Sequence, residues 1–344
     1  MCKILLTGEE CASIRSLLNE LTSKYSSVED PQFLSEALVY AHELPRRVRS
    51  FLNDFKQSEQ APGICLISGY PPDNEKLGRT PPHWRDKPAF SPALAEEMLL
   101  VLYGSLLGDV FGWATEQDGH IVHDVFPIKE NEDKQISTSS AQTIWWHTED
   151  AFHAFSGDYV GMYCLRNDDQ VPTTYASLDL VQLAPEHVKV LFEPRYLIHP
   201  DISHQETNGA HAPGEAEAPE NSLQSARQKI QQMNANPNRI AVFFGHPNAP
   251  YMRIDPYFME YLEDDREAQE ALEALIKSID GVLSSIVLQP GDCCFIDNCR
   301  TVHGRKAFKA RYDGTDRWLK RICVTRDLRK SRSSRSSNQS RLIL

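Results

Sequence analysis

Within WWHTEDAFH (145–153), His147 and Glu149 stand two residues apart, so on a strand both side chains leave the same face and reach one ion together. Far downstream, RTVHGRKAF (300–308) supplies His303 just after the strand-like CCFID. Two imidazoles and one carboxylate form the facial triad that holds non-haem Fe(II) while leaving positions open for a co-substrate and oxygen. An HxE pair alone arises by chance, and a lone core or surface histidine is its ordinary explanation. The pattern gains weight from Arg317, fourteen residues after His303 in DGTDRWLKR (313–321), with Arg321 four further on. In an antiparallel barrel that offset lets the next strand bring a guanidinium beside the metal, where it clamps a carboxylate through a bidentate pair. Together these residues describe an iron site with a 2-oxoglutarate anchor.

Such a site needs strands to carry it, and the chain supplies them from about residue 111 onward. Candidate strands are FGWAT (111–115), HIVHDVFP (120–127), QTIWWH (142–147), DYVGMYCLR (158–166), RYLIHP (195–200), RIAVFFG (239–245), YMRID (251–255), SSIVLQPGDCCFID (284–297) and LKRICVTRD (319–327). Many strands with no regular helix between them argue for an antiparallel barrel or jelly roll rather than a parallel sheet. Helical periodicity marks 12–25, 32–44 and 44–55, then 91–110, 183–192 and 264–283. The expected organisation over 1–344 is one domain, with a largely helical layer at 1–110 and a jelly-roll core at 111–328. The core carries an acidic insertion at 201–224, read as a lid, and a basic flexible tail follows at 329–344.

Composition narrows the function classes. With 344 residues, 41% of them hydrophobic, the chain can bury a sizeable core without cross-links. No window approaches 18 uninterrupted apolar residues, and MCKILLTGEECASIRS reaches polar residues too early for a secretory signal, so the expectation is a cytoplasmic protein with no membrane partner. The formal charge is −12, and because the last 19 residues carry +5, the body carries −17. A body that acidic argues against a nucleic-acid surface and is compatible with a cationic small substrate or with plain solubility. None of the eight cysteines forms a CxxC pair, which leaves zinc ribbons and thioredoxin-like sites unsupported. HExxH, P-loop and βαβ-placed GxGxxG patterns are also missing from the sequence.

The segments AHELPRRVR (41–49), LYGSLLGDVFGWAT (102–115), DVFPIK (124–129), WHTEDAF (146–152), DYVGMYCLRN (158–167), FIDNCRTVHGR (295–305) and RYDGTDRWLKRICVTRDL (311–328) carry a resemblance that spans nearly the whole chain. The sequence resembles the clavaminate synthase-like Fe(II)/2-oxoglutarate oxygenases, and within them the arginine and enduracididine β-hydroxylases of antibiotic biosynthesis. The resemblance implies a double-stranded β-helix, a cupin-like jelly roll, with flanking helices. It also implies hydroxylation of a free cationic L-amino acid, L-arginine at C3 first, using Fe(II), 2-oxoglutarate and O2 and releasing succinate and CO2. Carried over by position, iron falls to His147, Glu149 and His303, 2-oxoglutarate to Arg317, and the substrate α-carboxylate to Arg321. Ser137, in STSS, matches a serine lining the pocket, and Asp255, in RID, matches an acid that pairs with the substrate guanidinium. A buried cation needs such a counter-charge.

Two positions depart from that pattern. Where the arginine hydroxylases can carry a second acid two residues after Asp255, this chain has Tyr257; and Glu116, in ATEQDG, stands where a glutamine near the substrate amino group is usual. A carboxylate at 116 would strengthen the preference for a cation, unless it is turned to solvent or paired with a basic neighbour. The alternatives are C4 hydroxylation or desaturation of arginine, another substrate such as citrulline, lysine or a cyclic arginine derivative, and a non-catalytic barrel, which the intact triad disfavours. His120 and His123 have opposite strand parity and read as core or surface residues. The same holds for Trp145–Trp146 and Cys293–Cys294, with one member of each facing inward, and nothing in the spacing gives His153 a role.

Overall fold

The computed structural model describes residues 1–58, 60, 62–88, 90–205 and 220–344, with the backbone alone for 220–222. The chain opens with strand β1 (Cys2–Leu5), helices α1 (Gly8–Lys24), α2 (Pro31–Ala41) and α3 (Arg46–Gln57), strand β2 (Ile64–Ser68), and helices α4 (Asn74–Leu77) and α5 (Leu94–Leu107). Strands β3 (Asp109–Trp113), β4 (His123–Val125), β5 (Ile144–His147), β6 (Tyr159–Arg166) and β7 (Thr173–Ser177) follow. Next come α6 (Pro185–Leu191), β8 (Tyr196–Ile198), α7 (Ile202–Gln205), α8 (Glu220–Ala235), β9 (Asn238–Ile240), β10 (Phe243–His246), β11 (Ala249–Met252) and β12 (Met259–Tyr261). The chain closes with α9 (Arg266–Val282), β13 (Ser284–Ile286), β14 (Cys293–Asp297), β15 (Thr301–Arg305), β16 (Trp318–Thr325) and β17 (Leu342–Ile343).

Local chemistry sets the helix ends. Thr7 and Glu10 close a capping box on α1: Glu10 N donates to Thr7 Oγ1 at 3.2 Å and Thr7 N to Glu10 Oε2 at 2.8 Å. Asp30 caps α2, with Pro31 at its first helical position. Helix α9 buries Ala268, Ala271, Leu272, Leu275 and Ile279, the stripe its 3.6-residue period predicts.

Two sheets form the core. The larger runs β1-β2-β14-β6-β16-β3-β17, with β4 also on β16; the smaller runs β13-β7-β15-β5. They enclose an apolar layer of Ile64, Leu66, Val125, Met162, Cys164, Cys294, Ile296 and Leu319. Helices α1, α2, α3 and α5 cover the outer face of the larger sheet, and α6 and α9 pack beside the smaller one. This is the double-stranded β-helix with flanking helices.

Strand β16 shows how the architecture aims side chains. Trp318, Ile322 and Val324 join the core under the helices, while Leu319 joins the layer between the sheets. Lys320 also turns to the helical side, fully buried, with Nζ 2.6 Å from both Glu97 and Asp124. Arg321 therefore faces the space between the sheets.

Several expectations need correction. The largely helical 1–110 layer also carries β1 and β2, which pair in parallel and extend the larger sheet. Strands β7 and β15 carry little of the apolar alternation that marks a strand: Thr and Ser dilute it in the first, and His303, Gly304 and Arg305 mask it in the second. Cys293 and Cys294 are both buried, one on each side of β14, because that sheet is covered on both faces. The tail is docked rather than free. Strand β17 pairs with β3 and buries Leu342 and Ile343, and Arg341 donates to the Val110 and Leu34 carbonyls at 3.0 Å each. Averaging over a Ser/Arg-rich segment hides its closing apolar residues and the capacity of arginine to satisfy backbone carbonyls. Most of the acidic segment 201–224 lies outside the described residues.

Candidate active site

His147 and His303 are direct partners across the β5–β15 ladder, with ring centroids 4.8 Å apart. Gly304 lets the strands close at the irregularity beside them, since a Cβ there would lie 2.6 Å from the Ile144 carbonyl oxygen. Glu149 does not share their strand. β5 ends at His147, and Glu149 occupies the following turn, where its N donates to Asn298 Oδ1 at 2.7 Å while Asn298 Nδ2 donates to the Glu149 carbonyl at 3.0 Å. The strand-parity expectation for the HxE pair is thus corrected: an asparagine clamp, not a pleat, brings the carboxylate to the imidazoles.

Glu149 Oε2 lies 3.0 Å from His303 Nε2 and 3.9 Å from His147 Nε2, and one ligand atom from each residue falls within 4.8 Å of the others. His147 Nδ1 is 2.7 Å from the Trp145 carbonyl and so carries the proton, leaving Nε2 as a lone-pair donor. Burial pushes the Glu149 carboxyl up, but Arg321 and the two histidines more than offset this and hold it at about 2. Two imidazole nitrogens and one ionised carboxylate, converging from a ladder and a clamped turn, fit Fe(II).

The triad opens into a pocket between the sheets whose lining includes all nine of the sequence-derived site residues: Glu116, Ser137, His147, Glu149, Asp255, Tyr257, His303, Arg317 and Arg321. Arg317 is buried, donates to Thr173 Oγ1 at 3.3 Å, and has no carboxylate partner among the described residues. Burial pushes its guanidinium down to about 10. A buried cation with no counter-charge is unfavourable unless an anion arrives.

Asp255 presents the opposite situation. It is buried, its Oδ1 accepts the Tyr257 N–H at 3.1 Å, and burial, reinforced by Asp201 against the pull of His147, raises its carboxyl to about 6. Asp201 and Ser203 line the same pocket and were missed, because they stand in a segment read as a lid. Tyr257 is half exposed, with its ring 6.4 Å from that of Trp145 at the pocket wall. Trp146 is the buried member of its pair.

Arg321 is ion-paired with both Glu149 and Glu116, and its NH2 donates to His123 Nδ1 at 2.8 Å. Glu116 is therefore not a free counter-charge in the pocket. Burial pushes its carboxyl up, yet the Arg321 cation holds it well below the usual carboxylate range. His123 is likewise not a bystander: Nε2 donates to the His120 carbonyl at 2.7 Å, which leaves Nδ1 free to accept from Arg321.

Behind the triad, Trp113 Nε1 donates to Asp150 Oδ2 at 2.6 Å, and His204 bridges Asp150 Oδ1 at 3.0 Å and Thr115 Oγ1 at 2.7 Å. This ties α7 to the turn that carries Glu149. His153 packs its ring 4.6 Å from that of Trp113, and burial pushes it down to about 3, so it is a neutral packing residue. Asn298, Thr173 and Arg305 were also missed. For Arg305 the signal was present, two residues after His303.

The model of the taurine catabolism dioxygenase TauD, TfdA family matches residues 53–323. The chain is 44% identical to enduracididine beta-hydroxylase of Streptomyces hygroscopicus over 344 residues, all of both proteins. It is 42% identical to L-ornithine/L-arginine 3-hydroxylase of Catenulispora acidiphila, again over all of both. The crystal structure of the non-heme iron oxygenase OrfP in complex with Fe, succinate and (3S)-hydroxy-L-Arg superposes with a TM-score of 0.93 at 44% identity, covering all of both chains.

Proposed function

The chain belongs to the TauD/TfdA dioxygenase family, and we propose that it is an Fe(II)- and 2-oxoglutarate-dependent hydroxylase of free L-arginine at C3. One observation carries this reading: the pocket holds an uncompensated cation, Arg317, and an uncompensated carboxylate, Asp255, around a single His-Glu-His triad. A dianionic 2-oxo acid and a cationic amino acid answer those two needs. The names of the relatives point the same way, as hydroxylases of arginine, ornithine and enduracididine.

His147, Glu149 and His303 hold the iron in this reading, and Asn298 keeps Glu149 in place. Bound iron supplies the oxidising chemistry, in which O2 and 2-oxoglutarate are consumed, succinate and CO2 leave, and one oxygen atom enters the amino acid. Arg317 and Thr173 take the far carboxylate of 2-oxoglutarate, with Ser137 in the same wall. Arg321, oriented by Glu116 and His123, takes the substrate α-carboxylate. Asp255 and Asp201 take the guanidinium, and Tyr257 closes the pocket beside them. Fixing both ends of a flexible substrate presents one carbon to the metal, and a displacement of about 1 Å would select its neighbour.

A cyclic guanidine amino acid is the second reading, favoured by the similarity to enduracididine beta-hydroxylase. The eight free cysteines support a reducing, cytoplasmic setting, and no helix among the described residues is long and apolar enough to cross a membrane. Anaerobic protein loaded with Fe(II) and 2-oxoglutarate, offered arginine, ornithine, lysine, citrulline or enduracididine and then O2, tests the reading. Arginine-stimulated succinate is expected; turnover with lysine or citrulline alone would remove arginine and leave the oxygenase reading intact.

A further inference from the structure

Arg305 lines the same pocket as Arg317 and is only 5% exposed. The β15–β7 ladder sets Arg305 opposite Thr173, the residue whose Oγ1 accepts from Arg317, so one threonine borders both guanidiniums. Arg305 NH1 donates to the Ser140 and Lys306 carbonyls at 3.3 and 3.0 Å, and NH2 to Ser139 Oγ and the Gln142 carbonyl at 2.8 and 3.2 Å. Every one of these acceptors is neutral. They satisfy protons but leave the charge uncompensated, and the Phe308 ring, 4.9 Å away, is a weak partner for a cation. Neither arginine meets a carboxylate among the described residues, and the Nε of each is buried with no hydrogen-bond partner.

One arginine suffices to anchor one carboxylate. Two buried like charges at one end of a pocket oppose each other and are tolerated where an anion answers both. We propose that Arg305 is a second determinant of co-substrate choice: its charge, set beside Arg317, makes this end of the pocket select a 2-oxo acid that carries a second carboxylate. The inference rests on the 2-oxoglutarate reading. Arg305 acts on the co-substrate through its field, because its NH1 and NH2 groups are committed to the 139–142 loop and the Lys306 carbonyl.

The test compares 2-oxoglutarate with 2-oxovalerate, which has the same five-carbon skeleton with a methyl group in place of the far carboxylate. Anaerobic calorimetry of the Fe(II)-loaded protein gives both dissociation constants without turnover, and their ratio is insensitive to the fraction of folded protein. Arg305→Gln should lower the preference for 2-oxoglutarate by about tenfold or more, the order expected for one charge at this range in a partly screened interior. Arg305→Lys, which keeps the charge and loses the forked loop bonds, should hold the preference within about threefold of wild type. Should Arg305→Gln fail to fold, Arg317→Met serves instead, and a residual preference for 2-oxoglutarate is expected there. An unchanged ratio in Arg305→Gln, a ratio lost equally in Arg305→Lys, or no residual preference in Arg317→Met would overturn the proposal and leave Arg305 a loop fastener. Wild-type protein that binds neither acid would instead contradict the 2-oxoglutarate reading itself.

Discussion

His147 and His303 face each other across one rung of the β5–β15 ladder, with both Nε2 atoms turned toward Glu149. Two of three proposed ligands thus sit on a rigid element and the third on a turn fastened by Asn298. Metal geometry held this way depends on strand register rather than on a mobile loop.

Metal binding should then be visible without turnover. Mn(II) or anaerobic Fe(II) at about one hundred times its dissociation constant should stabilise the wild type by roughly 2.7 kcal/mol, read as a raised melting temperature. His303→Ala should show no such gain while keeping its metal-free melting near wild type. An equal metal-induced shift in the variant would remove His303 from the site.

Arg317→Met should raise KM for 2-oxoglutarate by about a hundredfold or more, since truncating one partner of a buried charge pair costs about 2–5 kcal/mol. The same change removes a stranded cation from the ligand-free protein. Its ligand-free melting temperature should therefore hold or rise even as 2-oxoglutarate loses its stabilising effect. A variant that is still stabilised by 2-oxoglutarate as the wild type is would contradict the assignment.

Asp255 links substrate charge to stability. Its carboxyl titrates near 6 when folded against an ordinary 3.8, so the folded state binds the proton more tightly and stability falls as pH rises between those values. Above about 6 the full penalty, roughly 3 kcal/mol at most, is present; below about 4 it is absent. Asp255→Asn should accordingly raise the melting temperature of the substrate-free protein at pH 8 and leave it unchanged at pH 4, while weakening arginine binding. A gain independent of pH would show that the carboxylate is not the source.

Much of this site is legible in the sequence, and the gaps have physical causes. His147, Glu149, His303, Arg317 and Arg321 announce themselves by residue type and spacing. The way Glu149 arrives does not, because the end of β5 and the reach of Asn298, 149 residues away in sequence, are tertiary facts. Glu116 could be read as a pocket charge or as a paired one, and only the fold decides, by setting Arg321 and His123 against it. Thr173 and Arg305 escaped notice because strands rich in Thr, Ser, His and Arg lack the apolar alternation that marks a strand.

The docked tail gives a test away from the pocket. Leu342 and Ile343 are buried beside β3, so Leu342→Ala and Ile343→Ala should each cost about 2–4 kcal/mol and lower the melting temperature by several degrees. Unchanged melting would return the segment to the flexible end its composition suggests.

C3 hydroxylation of arginine coupled to 2-oxoglutarate is read out by incubating the Fe(II) protein with L-arginine, 2-oxoglutarate and 18O2 and following the amino-acid product by mass spectrometry and NMR. The expected product is an arginine one 18O atom heavier, oxygenated at C3, formed in equal amount to succinate. Succinate formed without any oxygenated arginine, or label at a carbon other than C3, would contradict it.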